Sequence, residues 1–172
     1  MVLEGPPPDT ESFNFVIRAW TRCRRSLDVA DRAMEALRFM EHHQDTVDAT
    51  VRPNAKSYAM LMDAIAVKVR LKIKHCLTQD ESIKNDPNEN GLNDIQLLKD
   101  TLQFIKKRSE RDPWIAPNTN TYNTLISAWA NAAPLHQDAP FQAERVLQNM
   151  IVLKDQQAHR SRYDAAPDAV SY

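Results

Sequence analysis

Apolar positions along the chain recur with the spacing of a helix, and the same stripe occurs three times. Counting from an aromatic residue, apolar side chains fall at steps 0, 3, 4 and 7, and an alanine falls at step 6. The copies are Phe13, Val16, Ile17 and Trp20, then Tyr58, Leu61, Met62 and Ile65, then Tyr122, Leu125, Ile126 and Trp129, with Ala19, Ala64 and Ala128 at step 6. Residues with this spacing share one face, so each copy predicts a helix with one buried side.

A short motif precedes each stripe and predicts where its helix begins. The motif is proline, aspartate or asparagine, two variable residues, serine or threonine, and then the aromatic. It occurs at 8–13, 53–58, 117–122 and 167–172. Proline ends the preceding element, and the side-chain oxygen of Asp or Asn caps the first turn of a new helix. Residues 169–172 would therefore start a fourth, truncated repeat.

A second helical stripe follows the first in each unit. Its copies are Ala33, Ala36, Leu37 and Met40, then Ala143, Val146, Leu147 and Met150, and a weaker Leu98, Thr101, Leu102 and Ile105. The pattern predicts six helices in three antiparallel pairs. We expect them at about residues 10–23, 27–44, 55–75, 93–111, 119–131 and 139–158.

These units predict an all-α fold, an α-solenoid of tandem helix–turn–helix repeats with loop insertions. Repeat 1 spans 10–54, repeat 2 spans 55–118 and repeat 3 spans 119–168. The extra length of repeat 2 lies near 71–93, where turn-forming residues cluster, and insertions into solenoids map to loops. We expect the loop at 80–91 to be mobile and dispensable. Trp20, Ile65 and Trp129 should be buried between the layers.

Composition excludes several kinds of function. The chain has only two glycines among 172 residues, too few for a phosphate-binding loop, and it has no metalloprotease or serine-hydrolase motif. Cys23 and Cys76 are far apart and are interpreted as reduced thiols, and no third ligand accompanies the His42–His43 pair. No apolar run approaches the roughly 18 residues of a membrane span. We therefore expect a binding protein, without catalytic residues, cofactor or metal.

These motifs closely resemble those of the pentatricopeptide repeat family. The segment 120–129 is similar to the family's first helix, 143–150 to its second helix and 165–168 to its close. The resemblance extends from about Pro8 to Tyr172, although family repeats are about 35 residues long and these are longer. A tetratricopeptide repeat fits less well, because its first helix has a Leu-Gly step that is absent here.

The resemblance implies sequence-selective binding of single-stranded RNA in organellar RNA metabolism, in a mitochondrion or plastid, although no targeting peptide is visible. It implies a groove lined by the first helices, in which each repeat reads one base with two residues. Here the pairs are Asn14 with Asn54, Ala59 with Asn118, and Asn123 with Asp168. The resemblance implies that the first pair selects a pyrimidine, with cytosine preferred over uracil, and that the third pair selects uracil. It places Arg22 and Lys68 near phosphates.

An alternative function is a protein–protein interaction scaffold that uses the same helical surface. The net charge of −1 offers no general attraction to nucleic acid, and the family's base-stacking positions hold Glu11, Lys56, Asn120 and Val170, of which only Val170 is apolar. A positive groove would favour RNA, and an acidic or apolar groove would favour a protein partner. We also expect the chain to be a fragment of a longer array that binds RNA weakly by itself.

Overall fold

A computed structural model of the chain describes residues 7–23, 26–46, 51–78 and 91–157. These residues form six α-helices and no β-strand. The helices are α1 Thr10–Arg22, α2 Val29–Thr46, α3 Ala55–Leu77, α4 Leu92–Ser109, α5 Thr119–Ala132 and α6 Ala139–Gln157, with a 3₁₀ turn at Pro113–Ile115. The prediction of an all-α fold is confirmed, and no predicted helix end differs from the observed one by more than two residues.

The repeated motif forms a capping box at the start of α1, α3 and α5. The carboxylate or amide oxygen of the cap residue accepts a hydrogen bond from the main-chain N–H three residues later, and the hydroxyl at that later position accepts one from the cap's own N–H. The cap and hydroxyl residues are Asp9 with Ser12, Asn54 with Ser57, and Asn118 with Thr121. The repeated spacing of the motif is thus explained by hydrogen bonds between the cap residue and the residue three positions later. These bonds fix where each first helix begins.

The first helices α1, α3 and α5 contact one another in sequence order. Helix α3 packs against α1 and α5, and it also contacts the second helices α2 and α4. The predicted pairs α1–α2, α3–α4 and α5–α6 are all in contact. Helix α3 therefore lies at the centre of the described structure, where it contacts four of the other five helices.

The apolar stripes are buried where a helix has neighbours on both sides. Ile65 on α3 and Trp129 on α5 are buried, and Ala64 and Ala128 are fully buried at close helix approaches. Helix α1 packs only on α2 and α3 among the described elements, so Ala19 and Val16 are exposed. The prediction that Trp20 is buried is only partly met, because its ring is half-buried beneath the Arg32 guanidinium, 5.9 Å from the ring centre.

The insertion predicted near 71–93 is shorter than expected, because both ends of that range are helical. Helix α3 continues to Leu77, and α4 begins directly after Gly91. Gly91 has a φ of +81°, a left-handed conformation that glycine adopts without strain, and a Cβ there would lie 3.4 Å from the Val69 carbonyl. Gly91 thus fixes the start of α4 against α3. Residues 79–90, and with them nearly all of the loop we predicted to be mobile, lie outside the described residues.

Candidate nucleic-acid interface

A polar groove runs between α3 and α5, where two first helices lie side by side. We call it the α3–α5 groove. Its volume is about 430 Å³, within the range of small-ligand pockets, so it has room for a nucleobase. The lining residues are Thr21 of α1, Asp63, Ala66, Val67 and Arg70 of α3, and Asn120, Asn123, Thr124, Ser127 and Asn131 of α5.

The groove is formed by a polar stripe of α5 that faces a mixed stripe of α3, in which Ala66 and Val67 lie between Asp63 and Arg70. On α3 the lining residues have spacings 0, 3, 4 and 7 from Asp63, and on α5 they have spacings 0, 3, 4, 7 and 11 from Asn120. Each stripe runs beside the apolar stripe of the same helix. The two stripes bring amide, hydroxyl, carboxylate and guanidinium groups to one surface, which can donate and accept hydrogen bonds.

The charges in the groove are balanced. Arg70 is exposed and supplies the cation, and Asp63 supplies the carboxylate. The Thr124 hydroxyl donates a 2.8 Å hydrogen bond to Oδ1 of Asp63 and so fixes its orientation. Burial raises the pKa of the Asp63 carboxyl, and the hydrogen bond from Thr124 partly offsets that rise. The groove is therefore amide-rich and close to neutral, neither strongly positive nor apolar.

Asn123 is the predicted base-reading residue that lines this groove. It is half-buried, one turn from Asn120 and adjacent to Thr124. Asn131 also lines the groove, but its Nδ2 donates to the main-chain carbonyl of Ser127 at 2.8 Å. Asp168, the predicted partner of Asn123, lies outside the described residues.

Asn54 and Asn118 occupy the N-caps of α3 and α5. Their Oδ1 atoms accept the main-chain N–H bonds of the capping boxes, both at 3.1 Å. This contact fixes each amide plane, and each Nδ2 group makes no hydrogen bond within the part of the chain that the structure describes. The two predicted residues are therefore held in place with a donor still available.

The two remaining base-reading residues that the resemblance implies do not open onto a groove in the described structure. Asn14 is 1% exposed and Ala59 is also buried, because α1 and α3 pack closely together. Above Asn14, Nζ of Lys56 forms a 2.6 Å ion pair with Oε2 of Glu11, and Nδ2 of Asn14 lies 3.4 Å from Oε1 of the same carboxylate. The surface between α1 and α3 therefore has no groove at Asn14, whereas the surface between α3 and α5 has one at Asn123.

Lys68 does not line the groove. Its Nζ lies 3.1 Å from the Asp31 carboxylate of α2 and 3.7 Å from that of Asp94 on α4, and its side chain is 16% exposed. Lys72 also pairs with Asp94, at 2.9 Å. Lys68 thus joins α3 to two second helices and has a structural role.

Residue spacing along α3 distinguishes Arg70, which lines the groove, from Lys68, which does not. Arg70 lies seven residues after Asp63, on the face of α3 that lines the groove, whereas Lys68 lies on the side that meets α2 and α4. Arg22, the other predicted cation, is exposed in the last turn of α1 beside Thr21 and forms no ion pair within the described ranges.

A second, apolar cleft lies between α2 and α4 and has a volume of about 330 Å³. Its lining residues are Met34, Leu37, Arg38, Glu41, Tyr58, Leu61, Leu97, Asp100, Thr101 and Phe104. Phe104 is 50% exposed, and Lys107, Arg108 and Arg111 lie beside it. Glu41 bridges the cleft by pairing with Arg108 at 2.8 Å and accepting a 2.6 Å hydrogen bond from Tyr58, whose pKa is raised by burial and by this carboxylate.

In the described ranges, no three metal-ligating side chains come together, and Cys23 and the buried Cys76 form no disulfide. None of the described helices combines the length and apolar character needed to cross a bilayer. Comparison of the chain with protein families, with curated proteins and with solved structures found no match.

Proposed function

We propose that this chain is part of a helical-repeat protein that binds single-stranded RNA, with one base held in the α3–α5 groove. The observation that supports this best is the groove between the two helices, in which Asn123 and Arg70 line the same surface. In this proposal the six helices form an α-solenoid of the pentatricopeptide type, and the protein acts in organellar RNA metabolism. The chain binds RNA and catalyses no reaction.

The proposed chemistry follows from the groups in the groove. An asparagine amide offers a donor and an acceptor side by side, which matches the edge of an unstacked base. Arg70, at the exposed end of the same groove, pairs with a phosphate. The fixed Nδ2 groups of the caps Asn54 and Asn118 provide further donors near the starts of α3 and α5.

Binding by the isolated chain is expected to be weak. A stacked base contributes roughly 1–3 kcal/mol, and only one predicted base position is open in the described residues. The net charge of −1 and the balanced groove add little general attraction for phosphates. We therefore expect binding at low ionic strength, with strong loss as salt is added.

A second candidate function is a protein-binding scaffold, and the α2–α4 cleft favours it. An apolar cleft beside a half-exposed phenylalanine is typical of surfaces that accept an apolar side chain of a protein partner. The two functions use different faces, so variants on each face distinguish them.

Arg70→Ala is expected to weaken RNA binding about tenfold at low salt, because one charge-assisted contact to phosphate is lost. The loss should be similar for all sequences and should reduce the salt dependence by about one charge. Fluorescence anisotropy with a labelled 12-nucleotide pyrimidine RNA measures both.

Lys68→Ala is the matched control, since it removes the same charge from the same helix. It should leave RNA affinity within about twofold and lower the free energy of unfolding by about 1–3 kcal/mol, because Asp94 loses a partner. Arg111→Ala removes a positive charge beside Phe104, near the α2–α4 cleft, and tests whether RNA binds to that face instead. The proposal fails if the wild-type chain does not bind the RNA, or if Arg111→Ala weakens binding as much as Arg70→Ala.

A further inference from the structure

We propose that the α2–α4 cleft and the basic surface beside it form one docking site, which binds an acidic peptide segment of a protein partner. An apolar side chain of the segment enters the cleft, and carboxylates next to it pair with Lys107 and Arg111. This inference rests on the second candidate function and deepens it by naming the chemistry of the partner. It does not depend on RNA binding in the α3–α5 groove.

Phe104 joins the two parts of the docking site. Its ring lines the apolar cleft, and it also lines an adjacent cavity of about 590 Å³ together with Lys107, Arg108, Arg111 and Asp112. The ring lies 6.3 Å from that of Tyr58, yet half of the Phe104 side chain remains exposed. An apolar side chain of a partner would cover this exposed half and remove its apolar surface from water.

The walls of the cleft are apolar. Met34 and Leu37 line it from α2, Leu61 from α3 and Leu97 from α4. Its volume of about 330 Å³ is at the lower end of the range for small-ligand pockets, so it suits one large side chain rather than a whole helix. Aromatic side chains bury the most apolar area, and they are enriched at the centres of protein interfaces. We therefore expect the anchor of the partner to be aromatic.

Most polar side chains of the cleft already have hydrogen-bond partners. Glu41 pairs with Arg108 at 2.8 Å and accepts a hydrogen bond from the Tyr58 hydroxyl at 2.6 Å. The Thr101 hydroxyl donates to a main-chain carbonyl one turn earlier, and Asp100 accepts from a glutamine amide one turn earlier. An apolar side chain leaves these bonds intact, whereas the edge of a nucleobase would have to compete for them or stay unsatisfied. The cleft therefore favours a peptide over RNA.

The basic surface determines the charge of the partner. Lys107 and Arg111 are exposed, and neither forms an ion pair within the ranges that the structure describes. With Arg108 they bring three cations to a cavity that one carboxylate, Asp112, also lines. This local excess of positive charge contrasts with the net charge of −1 of the chain. Opposite charges steer the encounter and fix the register of a bound segment, so we expect acidic residues next to the aromatic anchor.

A peptide of defined composition tests the site. The probe is a fluorescein-labelled 12-residue peptide in which one tryptophan lies among glutamates and serines, and fluorescence anisotropy measures its binding to the full chain. Two comparison peptides carry alanine in place of the tryptophan, or lysine in place of each glutamate. We expect the first peptide to bind at least about tenfold more tightly than either comparison, because each comparison lacks the anchor or the complementary charge.

Two substitutions with matched controls locate the binding. Phe104→Ala should weaken binding of the tryptophan peptide at least about fivefold. Phe141→Ala, which removes an exposed phenylalanine from α6, should change it by less than about twofold. Lys107→Glu should weaken binding at least about threefold, whereas Lys154→Glu makes the same charge change at an exposed position of α6 and should have little effect. Circular dichroism checks that each variant is folded.

The inference is overturned if the acidic peptide does not bind, if all three peptides bind equally, or if Phe104→Ala and Phe141→Ala have equal effects. Self-association of the chain that Phe104→Ala abolishes would also contradict it, because a second copy would then cover the cleft. The same holds if a pyrimidine RNA displaces the peptide and Phe104→Ala weakens RNA binding. Arg70→Ala should leave peptide binding unchanged, so a failure of this inference and a failure of the RNA proposal are distinguishable.

Discussion

Replacing Ile65 by alanine is expected to lower the free energy of unfolding by about 2–5 kcal/mol. Ile65 is fully buried on α3, and α3 contacts α1, α2, α4 and α5. Removing its outer carbon atoms leaves a cavity among helices that are tied to one another through α3, so local relaxation cannot fill it. Urea denaturation followed by circular dichroism measures the change.

Val152→Ala provides the control for this experiment. Val152 is 53% exposed on α6 and loses a similar amount of apolar side chain, but it leaves no cavity. Its effect should stay within about 0.5 kcal/mol. Equal effects of the two substitutions would show that α3 is not the central packing element.

Asn123→Ala is expected to remove most of the base preference of the groove. A good amide contact to a base edge contributes about 1–3 kcal/mol of discrimination, equivalent to roughly 5- to 150-fold between matched and mismatched bases. The family resemblance assigns uracil to this position, so competition between RNAs that differ by one uracil measures the preference. The variant should bind all of them with similar, reduced affinity.

Asn149→Ala is the control for the amide, because Asn149 is an exposed asparagine on α6 that does not line the groove. It should retain the preference of the wild type. If Asn123→Ala discriminates between bases as well as the wild type does, Asn123 does not read the base, and the residue correspondence taken from the family does not apply to this chain.

The helices and their first residues could be predicted because both depend on residues that are close to one another in sequence. The Pro-Asx-x-x-Ser/Thr motif contains the whole capping box, since cap and hydroxyl are three residues apart, as Asn54 and Ser57 show. The apolar stripe likewise lies within one helix. Its burial was less predictable, because burial depends on neighbours. Val16 and Leu61 occupy the same step of their stripes, yet Val16 is exposed on α1 and Leu61 is buried on α3.

The candidate site was predicted only in part, because its state depends on contacts between distant residues. Asn14 contacts Glu11, which forms an ion pair with Lys56, a residue 45 positions away in sequence. Lys68 is neutralised by carboxylates of α2 and α4, and neither partner lies near it in sequence. Arg70 was predictable, because its spacing of seven residues from Asp63 places both on one face of α3.

The most direct test of the central claim is to map where RNA contacts the chain. A single-stranded RNA containing 4-thiouridine would be crosslinked to the full chain at low salt, and the modified peptides identified by mass spectrometry. The account predicts crosslinks to the groove faces of α3 and α5, around Arg70 and Asn123, and fewer crosslinks in Arg70→Ala. Absence of crosslinks, or crosslinks concentrated at Lys107 and Arg111 beside the α2–α4 cleft, would contradict it.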